Sequence, residues 1–139
     1  VGELHVNGEH VSKERQIGTV RVEFASKRTV VVALIGEHDL DSRSALRATL
    51  AYATESRNLL VDLTACTFID SAVISLLLAT QRRLEAAGRR AELIVPPHPG
   101  YVTRLFEVTG IASVFSVHSA RSTALASIEE FALLGQKTA

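Results

Sequence analysis

Apolar and polar residues alternate through "TVRVEFA", where Val20, Val22 and Phe24 are separated by Arg21 and Glu23. A period of two predicts a strand with one buried face. After a short Ser-Lys-Arg turn the pattern changes. "RTVVVALIG" is an unbroken, largely β-branched run, which predicts a central strand covered on both faces and closed by Gly36. "NLLVDL" and "RAELIV" have the same character, the second closed by Pro96, Pro97 and Pro99, which lack the N–H a ladder needs. "CTFI" is an apolar lead into Asp70-Ser71, and "SVFSV" predicts a short last strand.

Between these runs the period lengthens to that of a helix. From Asp41 to about Thr54, Leu46 and Leu50 lie one turn apart with Ala45 and Ala53 beside them, and Asp41 or Ser42 is the expected N-cap. From Ser71 to Ala87 the residues Val73, Ile74, Leu76, Leu77 and Leu78 make a broad apolar face, the arginines come late, and Gly88 sits where a helix ends. A third helix is expected over about 100–109, burying Val102, Leu105 and Phe106 and ending at Gly110. A fourth, from about Ser119, places Leu125, Ile128 and Ala132 on one face.

Strands that alternate with helices imply βαβ units with right-handed crossovers. The fold class is therefore α/β: a mixed β-sheet of four to five strands, an N-terminal antiparallel hairpin with the remainder largely parallel, packed against about four α-helices. Residues 1–17 mix charge, Gly and Asn without a sustained period and read as an arm or an added edge strand. Residues 18–134 read as one domain and 135–139 as a tail. There is no internal repeat or second-domain boundary.

Composition narrows the function classes. The 139 residues carry 15 basic and 15 acidic side chains, so no bulk charge points to direct contact with nucleic acid or an anionic membrane. The arginine pairs Arg82-Arg83 and Arg89-Arg90 stand near Glu85 and Glu92 and read as a solvated helix face. The longest near-apolar run, Ala72 to Ala79, is far short of the ~20 residues that span a bilayer, and the opening residues do not read as a signal peptide. One cysteine, Cys66, lies among apolar neighbours, which suits core packing in a reduced, cytoplasmic protein.

Catalytic chemistry finds little support in the chain. His5, His10, His38, His98 and His118 are scattered without metal-ligand spacing, and no phosphate-cradling glycine loop is present. No metal or cofactor is expected. Ser71 stands at a strand-to-helix turn, as a hydrolase nucleophile does, yet Ile69, Asp70, Ala72 and Val73 replace the flanking glycines that such an elbow needs. An enzyme is not expected.

Four stretches, in order, resemble STAS domains of the bacterial anti-sigma-factor antagonist kind: "VVVALIGEHDLDS", "NLLVDLTACTFIDS", "RLFEVTGI" and "ARSTALASI". The resemblance covers roughly residues 18–134 and implies a single STAS-like domain. It also implies that Ser71, directly after Asp70, is the phosphoacceptor of a partner that is both anti-sigma factor and GHKL-type serine kinase. Glu37, His38, Asp39 and Asp41 would rim the partner-binding surface, with Asp70, Ala72, Val73 and Ser75 beside the phosphoacceptor. The family usually continues Asp-Ser with Ser or Thr and then Gly; here Ala72-Val73 removes the second hydroxyl and the glycine.

Two readings of Ser71 remain side by side: an addressable hydroxyl, or part of a plain helix cap. Asp39 is equally open between partner contact and turn structure, and Asp62 reads as structural. At the level of function, the alternative to an antagonist switched at Ser71 is a non-phosphorylated scaffold or accessory subunit of a stressosome-like or transporter complex. Either reading admits a homo-dimer.

Overall fold

A computed structural model of the chain describes residues 2–5, 18–98 and 100–138, with side chains placed for 18–39, 41–98 and 100–135. Most of the 1–17 arm lies outside the described residues, as do Pro99, His10 and the side chain of His5. The elements are β1 (Gly2–His5), β2 (Thr19–Phe24), β3 (Thr29–His38), α1 (Arg43–Ala53), β4 (Asn58–Asp62), β5 (Cys66–Ile69), α2 (Ser71–Ala86), β6 (Ala91–Ile94), α3 (Tyr101–Thr109), β7 (Val117–His118) and α4 (Arg121–Thr138). Short 3-10 turns at Leu40–Ser42 and Ile111–Ser113 precede α1 and follow α3.

The sheet order is β1-β2-β3-β4-β6-β7, with β5 paired to the far end of β3. β1, β2 and β3 pair antiparallel; β3 pairs parallel with both β4 and β5, and β4, β6 and β7 follow parallel. The mixed α/β sheet and four helices are those the sequence pattern implies. Among the described residues seven strands form where four to five are expected, because β1 and β5 are four-residue elements too short to display a period. The last strand also lies later than "SVFSV". Gly110 turns the chain at φ 71, the 3-10 turn follows, and the Phe115 N–H donates to the Ile111 carbonyl while the ring is buried. Only Val117 and His118 are left to pair.

The unbroken apolar run in β3 is explained by two cores on opposite faces. Val30, Val32 and Leu34 face a large cluster with Leu59, Val61, Leu93 and the inner faces of α1, α2 and α3. Val31, one residue out of phase, joins Leu60 and Ile94 beneath Ala124 and Ile128 of α4. Full burial of such side chains contributes roughly 1.5–3 kcal/mol each.

The α4 face also encloses a polar group that the strand pattern does not reveal. Glu92 is fully buried. Its Oε2 accepts from Arg90 Nε at 2.8 Å and Ser127 Oγ at 3.2 Å, and its Oε1 meets His118 Nε2 at 2.7 Å. Arg89 and Arg90 are therefore not a solvated helix face. They lie in the turn between α2 and β6, where Arg90 pairs with Glu92 and stacks over Phe131.

Candidate functional site

The exits of β3 and β5 are brought side by side by parallel pairing: Glu37 is opposite Phe68 and His38 opposite Ile69. The partner of β3 changes from β4 to β5 between Ala33 and Gly36, and a register shift then interrupts the β3–β5 pairing between Gly36 and Glu37. Gly36 takes φ 82, and its N–H donates to the Ala65 carbonyl at 2.9 Å. This left-handed geometry explains a glycine at that point. The Asp70 N–H donates to the His38 carbonyl at 3.2 Å, which fixes the start of α2 against the end of β3.

Asp70 caps α2. Its backbone is extended, and its Oδ1 accepts the Val73 N–H at 3.0 Å. Ser71 is then the first helical residue; it is exposed, and its hydroxyl makes no hydrogen bond to another described residue. Of the two readings of the Asp-Ser join, the cap thus belongs to Asp70. Ser75 is exposed one turn later and Ala72 is half-buried.

Two residues expected at the surface are in the interior. Val73 is fully buried, because the third residue of α2 turns onto the sheet with Ile74 and Leu77 in the main core. It cannot offer a branched side chain to a partner. His38 is fully buried as well. Its Nε2 lies 3.1 Å from the Ile35 carbonyl and its Nδ1 has no hydrogen-bond partner. Burial holds its pKa below the ordinary histidine value, against the opposing pull of the Ile35 and Thr19 carbonyls and of Asp39. A Cβ at Gly18 would strike the Glu37 carbonyl and approach His38 Cε1 to 3.0 Å, so the glycine lets the start of β2 close over the ring.

The acidic loop after β3 is shaped by its own hydrogen bonds. Asp39 Oδ1 accepts the Asp41 N–H at 3.1 Å, and the Asp39 carbonyl accepts from Ser42 Oγ at 2.9 Å. Asp39 therefore organises the 3-10 turn, and neither Asp41 nor Ser42 caps α1 with its side chain. Asp41 is exposed, while Glu37 and Asp39 are half-buried. Glu37, Asp39, Asp41 and Asp70 thus form an acidic group around the exposed Ser71 at one end of the sheet.

Other polar side chains serve the scaffold. Burial alone would raise the Asp62 pKa, but hydrogen bonds from the Thr64 N–H and hydroxyl and from Arg121 hold it below the usual value. Burial pushes the Cys66 thiol up to about 11, so it packs as a neutral group. Sequence reasoning missed the aromatic pair Phe68 and Tyr101, whose rings stack at 5.1 Å beside β5; their separation in sequence gives no signal. A nearby cavity of about 290 Å³ between the β4–β5 turn and the start of α3 is lined by none of the expected site residues.

Among the described residues, no group of three or more His, Cys, Asp or Glu side chains is placed to hold a metal ion. Among the same residues, no helix is long and apolar enough to cross a membrane.

A family model described as "Mlab, STAS domain" matches residues 20–117. Among solved structures, an anti-sigma factor antagonist from Mycobacterium paratuberculosis is 25% identical with a TM-score of 0.70, over 81% of this chain and 94% of that one. The anti-sigma factor antagonist SpoIIAA in its unphosphorylated form is 24% identical with a TM-score of 0.69, over 80% and 96%. The Bacillus cell fate determinant SpoIIAA in the phosphorylated form is 24% identical with a TM-score of 0.62, over 78% and 98%. A search of curated protein sequences finds no match.

Proposed function

Because the chain belongs to the STAS family, we propose that it is an anti-sigma-factor antagonist: a binding module without catalytic activity that engages an anti-sigma factor with serine-kinase activity and is released by phosphorylation at Ser71. The carrying observation is the division of labour at the start of α2. Asp70 does the capping, so the exposed Ser71 hydroxyl is left out of the fold. Support also comes from relatives of similar architecture that are described as anti-sigma factor antagonists, one of them in a phosphorylated form.

Phosphorylation would alter the surface more than the fold. A phosphoserine adds about −1.5 to −2 charges. At the start of a helix that charge is favoured by roughly 0.3–1 kcal/mol through the unpaired N–H groups and the macrodipole, so α2 stays formed. In a docked complex the same charge would be desolvated beside Asp70 and the Asp39–Asp41 loop, at a cost of several kcal/mol. A loss of about 2.8 kcal/mol lowers affinity ~100-fold, enough to free a partner and so to regulate sigma-factor-dependent transcription, for instance in a stress response. The kinase would be of the GHKL type and the setting cytoplasmic.

The test is affinity capture with the unmodified chain, followed by phosphate mapping by mass spectrometry. Recovery of a serine kinase that modifies Ser71 and then releases the chain is the expected result. A captured assembly in which Ser71→Glu and Ser71→Ala bind equally well would replace this reading with that of a scaffold or accessory subunit.

A further inference from the structure

The parallel strands of this neutral chain separate its charge into two ends. An arginine stands immediately before each of three parallel strands: Arg28 before β3, Arg57 before β4 and Arg90 before β6. Parallel pairing gathers these starts at one edge, where Lys27, Arg83 and Arg89 join them. The guanidinium groups of Arg57, Arg83 and Arg89 crowd around the C-terminus of α1, and their acceptors are not carboxylates. Arg83 Nη2 donates to Thr54 Oγ1 at 2.9 Å, Arg57 Nη1 to the Glu55 carbonyl at 3.2 Å, and Arg89 Nη1 to the carbonyls of Thr54 and Arg57. Burial and the neighbouring Arg83 charge hold the Arg89 pKa below its usual value, so like charges are concentrated here. Lys27, Arg28, Arg57, Arg82, Arg83 and Arg89 outnumber Glu55, Glu85, Glu129 and Glu130 in the segments that meet at this end; Arg90 is balanced by Glu92.

The same end is concave. A cleft of about 670 Å³ opens between the α2–β6 turn and α4, walled by Arg89, Arg90, Phe131 and Leu134. It continues past Arg28 and Ser56 as a second hollow of about 280 Å³. Ser56 has φ 59, the one positive value at a non-glycine among the described residues, a strained conformation of the kind that tends to mark binding surfaces. The opposite end carries Glu37 near the end of β3, Asp39 and Asp41 in the turn that follows, and Asp70 at the start of α2. β3 alone puts ten residues, roughly 33 Å, between the two ends. At physiological ionic strength that is about four Debye lengths, so neither end neutralises the other within one molecule there. The Asp41 carboxylate at one end, and the Lys27 and Arg28 side chains at the other, are exposed and pair with no described residue.

We propose that the arginine-lined strand-start end of one molecule docks on the acidic strand-exit end of a second copy, giving head-to-tail self-association. Such a contact is heterologous, so it leaves a complementary end open at each terminus and grows with concentration. It covers the Ser71 surface of every copy but one. The contact uses charges present in the unmodified chain and does not depend on phosphorylation.

Sedimentation velocity of the unmodified chain tests it. At about 20 mM salt the weight-average sedimentation coefficient is expected to rise with protein concentration, and at about 500 mM salt association is expected to weaken at least tenfold. The double substitution Lys27→Glu with Arg28→Glu, and separately Asp41→Lys, should each abolish measurable association at the concentrations where the unmodified chain associates, since each reverses the exposed, unpaired charge of one kind of end. An equimolar mixture of the two variants should form dimers that grow no further, because one intact end remains on each. All three substituted side chains are exposed, and a melting curve of each variant controls for folding. A chain that stays monomeric at low salt, association that salt does not weaken, a single variant that still associates, or a mixture that stays monomeric would each overturn the proposal.

Discussion

Asp70 and Ser71 are neighbours with separate tasks, and the separation has measurable consequences. Asp70→Ala strips the acceptor from the Val73 N–H and should cost about 1 kcal/mol of stability. Ser71→Ala removes an exposed, unbonded hydroxyl and should change stability by less than ~0.5 kcal/mol. Chemical denaturation of the two variants checks this; equal losses would contradict the division. His38 supplies a second test. Its folded-state pKa lies below the unfolded value, so the unfolded chain binds the extra proton first. Stability is then full above the unfolded value of about 6.5 and falls as pH drops toward the folded pKa, by at most about 1.4 kcal/mol per pH unit. Denaturation between pH 7.5 and 5.5 should show that slope, and His38→Gln should flatten it, about the unfolded pKa. Asp62 acts in the same direction at lower pH, where protonation forfeits its bonds to Thr64 and Arg121.

At the scale of elements, α4 is held to the outer face of the sheet by a small apolar cluster and by the Glu92 network. Glu92→Ala leaves Arg90 and His118 without their shared carboxylate and should cost about 3–5 kcal/mol. Hydrogen exchange should report the loss first in α4; protection lost evenly across the sheet would contradict the role given to Glu92. Restoring the glycine common in the family, Val73→Gly, removes a fully buried side chain from α2 and should cost roughly 3 kcal/mol. The sequence made these elements legible unevenly. Alternation in β2 and the unbroken run of β3 announced the strands, and the apolar face of α2 announced its packing. β5 was hidden because four residues between a turn and a helix show no period. Glu92 was hidden because its partners come from three separate stretches of the chain. Val73 was misplaced for another reason: its helical phase already pointed inward, but the family's glycine drew attention to that position as a contact surface. His38 was misplaced because a polar residue at a strand end gives no sign of which residues close over it.

At the scale of the molecule, the described residues combine a sheet-and-helix scaffold with two contrasting ends. At one, strand exits collect carboxylates around a serine that the fold does not use; at the other, strand starts collect arginines around a cleft. Both patterns follow from parallel pairing, which places like ends of successive strands together. The central claim is that Ser71 sets the affinity for a partner without affecting the fold. The direct measurement is calorimetric titration of the captured kinase partner with the unmodified, Ser71→Ala and Ser71-phosphorylated chains. The account predicts similar affinities for the first two, affinity at least ~100-fold weaker for the phosphorylated chain, and melting temperatures that differ little among the three. Equal affinity of all three chains, or a phosphorylated chain that no longer folds, would contradict it.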